Sequence, residues 1–329
     1  MRVSTGTHDG VMPEHVARFA ADCTRLWQAG DLPGMKLGLA VSGGPDSLAL
    51  LLLAHAARPG SIEAATVDHG LRAGSAGEAE AVARLCERLG VPHRTLAVTV
   101  ADGNLQDEAR KARYTALGTW AQERGIYALA TAHHADDQAE TVLMRLNRAS
   151  GLAGLAGIRS VGHWPLTGLI LLRPLLAWRK AELAAIVERA GLAAAQDPSN
   201  TDPRFDRARV RAALSEADWL DPSAIARSAA HLEEAENALN WAVLREWDES
   251  VAEEDGAYIW KAGSIPRAIR IRIVEMAIAM MGGQDVRGGA VARIADDLVR
   301  GGRANVGGVL VEVAKGVWRF SAEPPRRIN

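Results

Sequence analysis

Cysteine is scarce in this chain of 329 residues, which contains only Cys23 and Cys86. The two cysteines are far apart in the sequence, and neither belongs to a CxxC pair. A disulfide framework, a zinc knuckle and a cysteine-ligated iron–sulfur cluster are therefore not expected. Because disulfides are rare in reducing compartments, this composition is compatible with a reducing environment, and we predict a cytoplasmic protein.

Long hydrophobic runs and an excess of charge of one sign are also missing. The longest apolar run, Leu48 to Ala54, is far shorter than the roughly 20 residues that span a bilayer. The first residues lack the apolar core of a signal peptide, so we predict no membrane partner. Because the formal net charge is -2, a nucleic-acid partner would have to be bound by a local basic patch.

The remaining composition is ordinary for a globular protein of two domains. Hydrophobic residues make up 48% and charged residues 24% of a chain that exceeds one typical core. Strand-like and helical segments alternate through residues 1–215, which predicts an α/β domain with a parallel five-stranded sheet in the order 3-2-1-4-5. Residues 216–329 are predicted to form a smaller, mostly helical domain with one hairpin near its end.

The order of these elements also predicts where a ligand binds. The predicted strands are 37–41, 62–67, 94–100, 126–130 and 169–172, and the predicted helices are 14–28, 48–57, 77–89, 105–124, 135–148 and 180–190. In an open parallel sheet the ligand lies beyond the carboxyl ends of the strands, where the strand order reverses. The turns after the first and fourth strands flank that crevice. They are SGGPDS, residues 42–47, and TAHHADDQAE, residues 131–140.

The first of these turns has the composition of a phosphate-binding loop. Its residues are Ser42, Gly43, Gly44, Pro45, Asp46 and Ser47. The glycines let the backbone approach an oxyanion, and the free N–H groups at the start of the next helix carry partial positive charge. We predict that Asp46 or Ser47 caps this helix, which begins near Leu48. No lysine follows the turn, which disfavours a Walker-type kinase or GTPase, and a tight turn without a ligand is the alternative.

The second turn contains the densest group of chemically active side chains in the sequence. Its members are His133, His134, Asp136, Asp137, Gln138 and Glu140. Carboxylates at a nucleotide site suit Mg²⁺, and a histidine there can contact phosphate or exchange a proton near neutral pH. The alternative is that Asp136 or Asp137 is only a cap at the helix N-terminus. Zinc is disfavoured because no third histidine lies at helical spacing.

These two motifs resemble those of a known enzyme family. SGGPDS resembles the signature loop of the N-type ATP pyrophosphatases, or PP-loop superfamily. HHADDQAE resembles the HHxDDQxET motif of the tRNA(Ile)-lysidine synthetases within that superfamily. The resemblance covers roughly Lys36 to Leu214 and implies a Rossmann-like fold of the adenine nucleotide alpha hydrolase type. It also implies a short form of the family, without the large C-terminal domain of longer members.

The resemblance implies ATP and Mg²⁺ as cofactors and suggests which residues carry the chemistry. We predict that Asp46 and Asp137 lie near the metal and pyrophosphate, His133 near the α-phosphate, and Glu140 near the cytidine or the lysine amine. The other nucleotide-binding candidates are Val67, His69 and Arg113. The candidate contacts to tRNA or lysine are Arg72, Arg110, Arg173, Asn200, Arg207 and Arg211. Ala208 replaces an asparagine of the family pattern. Each of these outer segments, taken alone, would be interpreted as a polar loop or solvated surface.

The implied reaction is ATP-dependent ligation of free L-lysine to C2 of the wobble cytidine in the CAU anticodon of tRNA(Ile). It passes through an adenylated tRNA and yields lysidine, AMP and pyrophosphate. Sulfur-inserting relatives need reactive cysteines and amidotransferase relatives need a glutaminase domain, and the sequence offers neither. Two alternatives stay open: a PP-loop enzyme that adenylates a small carboxylate or amide, and a non-catalytic adenine-nucleotide-binding protein. The sequence also leaves a homodimer open.

The helical tail contains dispersed arginines, which the resemblance implies contact tRNA. They are Arg267, Arg270, Arg272, Arg287, Arg293, Arg300 and Arg303. Such a series could bind phosphates of a nucleic-acid backbone. The alternative is a solvated surface, which is the commoner state of scattered arginines.

Overall fold

A computed structural model gives the fold of residues 10–70, 75–99, 105–164, 168–195, 206–283 and 288–323. The chain divides into two units, Met1–Glu233 and Glu234–Asn329. The sequence placed a division at residue 215, and the assignment of a catalytic and a tRNA-contacting role to the two parts stays a prediction. Within the ranges given above, none of the helices combines the length and the apolar character needed to cross a bilayer.

In the described part of the first unit, six strands form one sheet. They are β1 Leu37–Ala40, β2 Ile62–Asp68, β3 His93–Ala97, β4 Ala128–Ala130, β5 Val161–His163 and β6 Ile170–Leu172. Their order is β3-β2-β1-β4-β6-β5, and every neighbouring pair is parallel except β5 with β6. The predicted fold class is confirmed, with β6 in the place of the fifth strand. The antiparallel edge strand β5 was not predicted, because Val-Gly-His has no apolar run, unlike the equally short β4 and β6.

Helices cover this sheet. The helices described in the first unit are α1 Pro13–Leu26, α2 Pro45–Ala57, α3 Ser75–Leu89, α4 Leu105–Glu123, α5 Ala135–Leu146, α6 Leu152–Leu155, α7 Lys180–Arg189 and α8 Asp206–Glu216, with a 3₁₀ turn at Gln28–Asp31. Helix α9, Pro222–Ser250, begins in the first unit and ends in the second. Helix α2 packs against α1 and α7 as well as the sheet, and its leucines from Leu48 to Leu53 are buried. A helix enclosed in this way needs apolar residues on all its faces, which explains its leucine-rich sequence.

Glu63 is a buried charge at the opposite end of the first two strands from their carboxyl ends. It lies on β2, is 2% exposed, and accepts hydrogen bonds from Lys36 Nζ at 2.7 Å and Arg124 Nε at 2.7 Å. Burial alone would raise the pKa of Glu63, but the hydrogen bonds and charges of Arg124 and Lys36 outweigh burial and hold that pKa below its ordinary value. The pair therefore favours the ionised carboxylate.

Glu63→Gln is expected to lower the free energy of unfolding by about 2 kcal/mol at neutral pH, because the carboxylate loses its charge-assisted hydrogen bonds. A lowered pKa in the folded state gives stability that is complete above the ordinary glutamate pKa. That stability is lost as the pH falls through the folded pKa. Urea unfolding of both proteins at neutral pH and in acid measures the difference. A difference that persists unchanged in acid would contradict this assignment.

The second unit combines helices with an antiparallel sheet. Beyond the end of α9 its elements are β7 Val251–Glu254, β8 Ala257–Lys261, α10 Arg267–Met280, α11 Gly288–Asp297, a 3₁₀ turn Leu298–Arg300, β9 Gly302–Val306, β10 Val309–Ala314 and β11 Val317–Ala322. The strand order is β7-β8-β11-β10-β9, and Trp260, Trp318 and Phe320 fill the core. The predicted hairpin turn at Lys315–Gly316 is confirmed by φ values of +50° and +79°. The β7–β8 hairpin was missed.

Candidate active site

The turn between β1 and α2 has the geometry of an anion-binding loop. Gly43 has φ +87°, which side chains rarely allow, and Gly44 is the N-cap of α2. Among the residues that the structure describes, no side chain caps this helix, so the N–H groups of its first turn are available to a ligand. The prediction that Asp46 or Ser47 caps the helix is wrong. The helix begins earlier, at Pro45, because proline fits the first helical position and places both residues inside the first turn.

Ser47 stabilises the loop through hydrogen bonds to its backbone. Its side chain is 5% exposed, and Ser47 Oγ accepts the backbone N–H of Ser42 at 3.1 Å and donates to the carbonyl of Gly44 at 2.9 Å. The carbonyl of Gly43 accepts the N–H of Ala195 at 3.0 Å. These bonds hold the glycine backbone in one shape, which is the preorganisation that an anion site requires.

The second turn, after β4, starts α5 with a reciprocal cap. His134 is the N-cap: its Nδ1 accepts the N–H of Asp137 at 3.3 Å, and Asp137 Oδ2 accepts the N–H of His134 at 3.2 Å. The sequence left open that Asp136 or Asp137 is only a helix cap. Asp137 does take part in this cap, through Oδ2. Its other oxygen, Oδ1, accepts a hydrogen bond from Arg207 Nη2 at 2.8 Å.

His134 joins the two turns. Its Nε2 lies 3.5 Å from Asp46 Oδ2 and 3.5 Å from Asp137 Oδ2, which is possible because β1 and β4 are paired neighbours in the sheet. Burial alone would lower the pKa of His134, but the hydrogen bond to Asp46 and the charges of Asp137, Asp46 and Asp136 outweigh burial and raise that pKa. SGGPDS and HHADDQAE therefore face each other across one crevice at the carboxyl ends of the strands.

His133 has the opposite electrostatic character. Its Nδ1 is 2.9 Å from Thr131 Oγ1, and burial, together with the charges of Arg173, Arg207 and Arg110, lowers the pKa of His133 to about 4. Asp137 opposes this shift only in part. At neutral pH the imidazole is uncharged, so it can offer a phosphate one neutral hydrogen bond and not a positive charge.

Glu140 is enclosed by arginines of α8. The carboxylate is 2% exposed and accepts hydrogen bonds from Arg207 Nε at 2.6 Å and from Arg211 Nε at 2.6 Å. No residue of α8, which lies wholly within the described range, is buried. The α8 helix is therefore held on α5 mainly by charge, through Glu140, Asp137 and an ion pair of Arg148 with Asp206 at 3.3 Å.

The other nucleotide candidates lie on neighbouring elements. Val67 is near the end of β2, and His69 follows it in a turn where the Gly70 N–H donates to Asp68 Oδ1 at 2.9 Å. The pKa of His69 is lowered first by burial and then by the charge of Arg113 on α4, which indicates that these two candidates are close. Arg72 and Asn200 lie outside the described residues.

Arg110 and Arg173 belong to an aromatic cluster beside His133. Arg110 Cζ lies 4.7 Å from the centre of the Tyr114 ring, which is itself 4.5 Å from the Trp164 ring. Arg173 Nη1 donates to the carbonyl of Arg159 at 2.6 Å. Both guanidinium groups act on the pKa of His133, so the arginines predicted from separate segments converge on one region.

The carboxylates at the crevice fit Mg²⁺. Asp46 Oδ1 is buried and has no hydrogen-bond partner among the residues that the structure describes, and Asp46 and Asp137 approach the same histidine nitrogen. Within the same residues, no set of three or more His, Cys, Asp or Glu side chains is arranged to hold a metal alone. Two carboxylates completed by substrate phosphates and water are the usual surroundings of Mg²⁺.

The sequence did not reveal the partner of Asp136. Its carboxylate accepts hydrogen bonds from Arg179 Nε at 3.2 Å, from Arg179 Nη2 at 3.1 Å and from the N–H of Lys180 at 2.8 Å. These bonds fix the start of α7 against the start of α5. No local pattern marks Arg179, because its partner is 43 residues away in the sequence.

In the second unit, acidic partners hold several of the arginines that were considered for tRNA contact. Arg267 donates to Asp296 at 2.6 Å, Arg270 contacts the same carboxylate at 3.5 Å, and Arg272 donates to Glu236 at 2.6 Å. Arg287 lies outside the described residues. Arg267 is exposed although it is paired, and Arg293, Arg300 and Arg303 are also exposed. The last three are better placed than the paired ones to bind phosphate.

Comparison with known proteins identifies the family of this chain. Residues 16–217 match the PP-loop domain family. A protein named tRNA(Ile)-lysidine synthase from Novosphingobium aromaticivorans is 48% identical over 313 residues, 94% of this chain and 94% of the relative. Proteins of the same name from Zymomonas mobilis subsp. mobilis and a Bradyrhizobium species are 41% and 38% identical, over 89% and 97% of this chain and 90% and 98% of the relatives.

A solved structure shows the same fold. The U34-tRNA thiolase NcsA from Methanococcus maripaludis, solved with its 4Fe–4S cluster, matches 70% of this chain and 84% of its own with a TM-score of 0.55 and 19% identity. At this identity the likeness concerns the fold alone. The family match and the relatives cover most of the chain, so they show the family as well as the fold. The chain therefore belongs to the tRNA(Ile)-lysidine synthase family, the ATP-dependent ligases built on a PP-loop domain.

Proposed function

We propose that this protein ligates free L-lysine to C2 of the wobble cytidine in the CAU anticodon of tRNA(Ile). ATP would first adenylate the tRNA, and the products would be lysidine, AMP and pyrophosphate. The observation that carries the proposal is the approach of Asp46 and Asp137 to one nitrogen of His134, because it unites a phosphate loop and an acidic cluster in one crevice. The relatives named for this activity support the choice of substrate.

In the first step, the C2 oxygen of the cytidine would attack the α-phosphorus of ATP, and pyrophosphate would leave. The free N–H groups at the start of α2 would hold the phosphates, and Ser47 would keep that backbone in shape. Asp46 and Asp137 would hold Mg²⁺, which when bound neutralises charge on the phosphates. His133, which is neutral because of its lowered pKa, would place one hydrogen bond near the α-phosphate. Being uncharged, it would not compete with Mg²⁺ for the phosphate oxygens.

In the second step, the ε-amine of lysine would attack C2, and AMP would leave with the former carbonyl oxygen. Because the pKa of a free lysine amine is about 10.4, a neighbouring carboxylate must take its proton or the site must desolvate it. Asp137 is poorly suited as that base, because it would hold Mg²⁺ and because, although burial alone would raise its pKa, the charges of His134, Arg207 and His133 outweigh burial and lower that pKa. Desolvation of the amine is therefore favoured. Glu140 would contribute through Arg207 and Arg211, which it holds in place beside Asp137. The remaining candidates for contact with tRNA or lysine are Arg110, Arg173 and, outside the described residues, Arg72 and Asn200.

Two other chemistries are less favoured. Burial raises the pKa of both Cys23 and Cys86 to about 12, so neither offers a thiolate for sulfur transfer. A PP-loop enzyme that adenylates a small carboxylate or amide would use the same phosphate loop. It would not need arginines grouped around the acidic cluster to bind a polyanion, which is why we favour the tRNA substrate.

The experiment is incubation of the protein with ATP, Mg²⁺, labelled lysine and a tRNA(Ile) transcript. We expect label in the RNA and one pyrophosphate released for each lysine incorporated. The matched control is the same transcript with uridine in place of the wobble cytidine, which should incorporate none. Pyrophosphate release that depends on a small carboxylate or amide and not on the transcript would support the second chemistry. ATP binding without pyrophosphate release from any acceptor would indicate a nucleotide-binding protein.

A further inference from the structure

Gln138 lies within the acidic motif, but its hydrogen bonds go to the segment that follows α6. The side chain is 3% exposed. Its amide nitrogen donates to the carbonyls of Ala156 at 3.4 Å and Ile158 at 3.0 Å, and its oxygen accepts the N–H of Ile158 at 2.6 Å. Both N–H groups of the carboxamide and its acceptor oxygen are thereby used in one place.

The backbone of residues 156–158 packs closely against the Gln138 side chain. Gly157, between the two anchored residues, has φ +67°, and a Cβ at that position would lie 2.4 Å from Gln138 Oε1. No real side chain tolerates such a distance, so only glycine lets the backbone approach the carboxamide so closely. Two independent features, the hydrogen bonds and the glycine, therefore point to the same contact.

Arg159, the residue after this segment, connects the segment to Arg173. The carbonyl of Arg159 accepts the hydrogen bond from Arg173 Nη1 at 2.6 Å, and the carbonyl of Ser160 accepts the N–H of Arg173 at 3.0 Å. The Nε of Arg173 is buried without a hydrogen-bond partner among the described residues. Its guanidinium group acts on the pKa of His133, and it is held by the Arg159 carbonyl and by a hydrogen bond with the Tyr114 side chain.

We propose that Gln138 is a positioning residue that acts through Arg173. By fixing the backbone of residues 156–158, Gln138 sets the Arg159 carbonyl, and this carbonyl holds the guanidinium of Arg173 beside His133. The inference rests on the proposed function, in which Arg173 contacts the tRNA or lysine. It assigns no proton transfer to Gln138, although Gln138 lies between Asp137 and Glu140 in the sequence.

A double-mutant cycle tests the connection. Gln138→Met keeps the volume and removes the hydrogen bonds, and Arg173→Met removes the guanidinium. We expect each variant to lower kcat/KM for the tRNA by about 100-fold with unchanged ATP affinity, since small misplacements at a site cost that much. The kcat/KM of the double variant should be no lower than that of the less active single variant, because both changes remove the same interaction. Losses that multiply would overturn the proposal.

Limited digestion with trypsin tests the first link without any activity assay. Without its hydrogen bonds to Gln138, the backbone of residues 156–158 should open locally and expose the peptide bond after Arg159. Trypsin should therefore cut that bond about ten times faster in Gln138→Met and in Gly157→Ala than in the wild type. The matched controls are Gln122→Met, an exposed glutamine on α4, and Gly90→Ala, whose φ is +66° with no atom within 4 Å of its Cβ. Both should be cut like the wild type.

The two readouts separate the two proposals. Unchanged cleavage after Arg159 in Gln138→Met would overturn the positioning role, whatever the enzyme makes. Faster cleavage in a protein whose wild type forms no lysidine would refute the proposed function and support the link from Gln138 to the segment. Gln138→Glu retains the acceptor for the Ile158 N–H but turns a buried carboxylate oxygen toward the carbonyls of Ala156 and Ile158, so its kcat/KM should be no higher than that of Gln138→Met.

Discussion

Glu140→Gln is expected to lower the rate of lysidine formation by at least about 100-fold while ATP still binds. The carboxylate is the shared partner of Arg207 and Arg211, and glutamine of the same shape cannot accept charge-assisted bonds from both. Arg207, which also donates to Asp137, would then interact with that carboxylate alone. A stronger bond there competes with the metal for Asp137.

The measurements are incorporation of labelled lysine and the Kd of ATP by equilibrium dialysis. Glu249→Gln is a suitable control, because Glu249 forms an exposed ion pair with Arg245 on α9 at a similar distance, 2.8 Å. Such an exposed pair contributes little, so this variant should behave as wild type. The melting temperature of each variant shows that it is folded. Wild-type turnover in Glu140→Gln would remove Glu140 from the chemistry.

The meeting of the two site turns could be predicted from the sequence because it follows from strand order. Once the first and fourth strands are neighbours, the residues that follow them must lie side by side at the carboxyl edge. The observed β1–β4 pairing confirms this part of the prediction. The residues involved, such as Asp46 and His134, are also close to their strands in the sequence, so little error in the path of the chain can accumulate.

The partners across the site could not be predicted in the same way. Arg207 and Arg211 are one helical turn apart and share a face, whereas Arg209 lies on another face and pairs with Asp206. Local spacing gives that face but not its partner, because Glu140 is 67 residues from Arg207. Contacts of this range depend on how α8 packs against α5, which no motif encodes.

The hairpin between β7 and β8 is a different kind of error. Its turn is Asp255–Gly256, with φ values of +50° and +71°, and Asp-Gly is one of the strongest short-range hairpin signals. The flanking residues VAEE and AYIWK have weaker strand patterns than the strands near residue 310, so alternation alone does not indicate this hairpin. The turn residues carry the local information that the strands lack.

Gly44→Val is expected to weaken ATP binding by at least about 100-fold with little change in stability, which corresponds to losing roughly 3 kcal/mol of phosphate contacts. Gly44 has φ -73° and ψ 161°, a conformation that valine adopts readily. Among the atoms of the described residues, a Cβ there would meet Ser42 Oγ alone, at 3.7 Å, an ordinary contact. The protein itself therefore has room for the side chain, and any loss must come from what the side chain excludes.

This separation of folding from binding makes the test decisive for the phosphate loop. Gly43, with φ +87°, could not be used in the same way, because a side chain there strains the backbone whatever binds. Gly151 is the matched control: it is the N-cap of α6, it has the same φ of -73°, and no atom of the described residues lies within 4 Å of a Cβ built there. Gly151→Val should bind ATP as wild type does. If Gly44→Val also bound ATP with unaltered affinity, the phosphates would lie elsewhere, and the adenylation step proposed for this crevice would lose its basis.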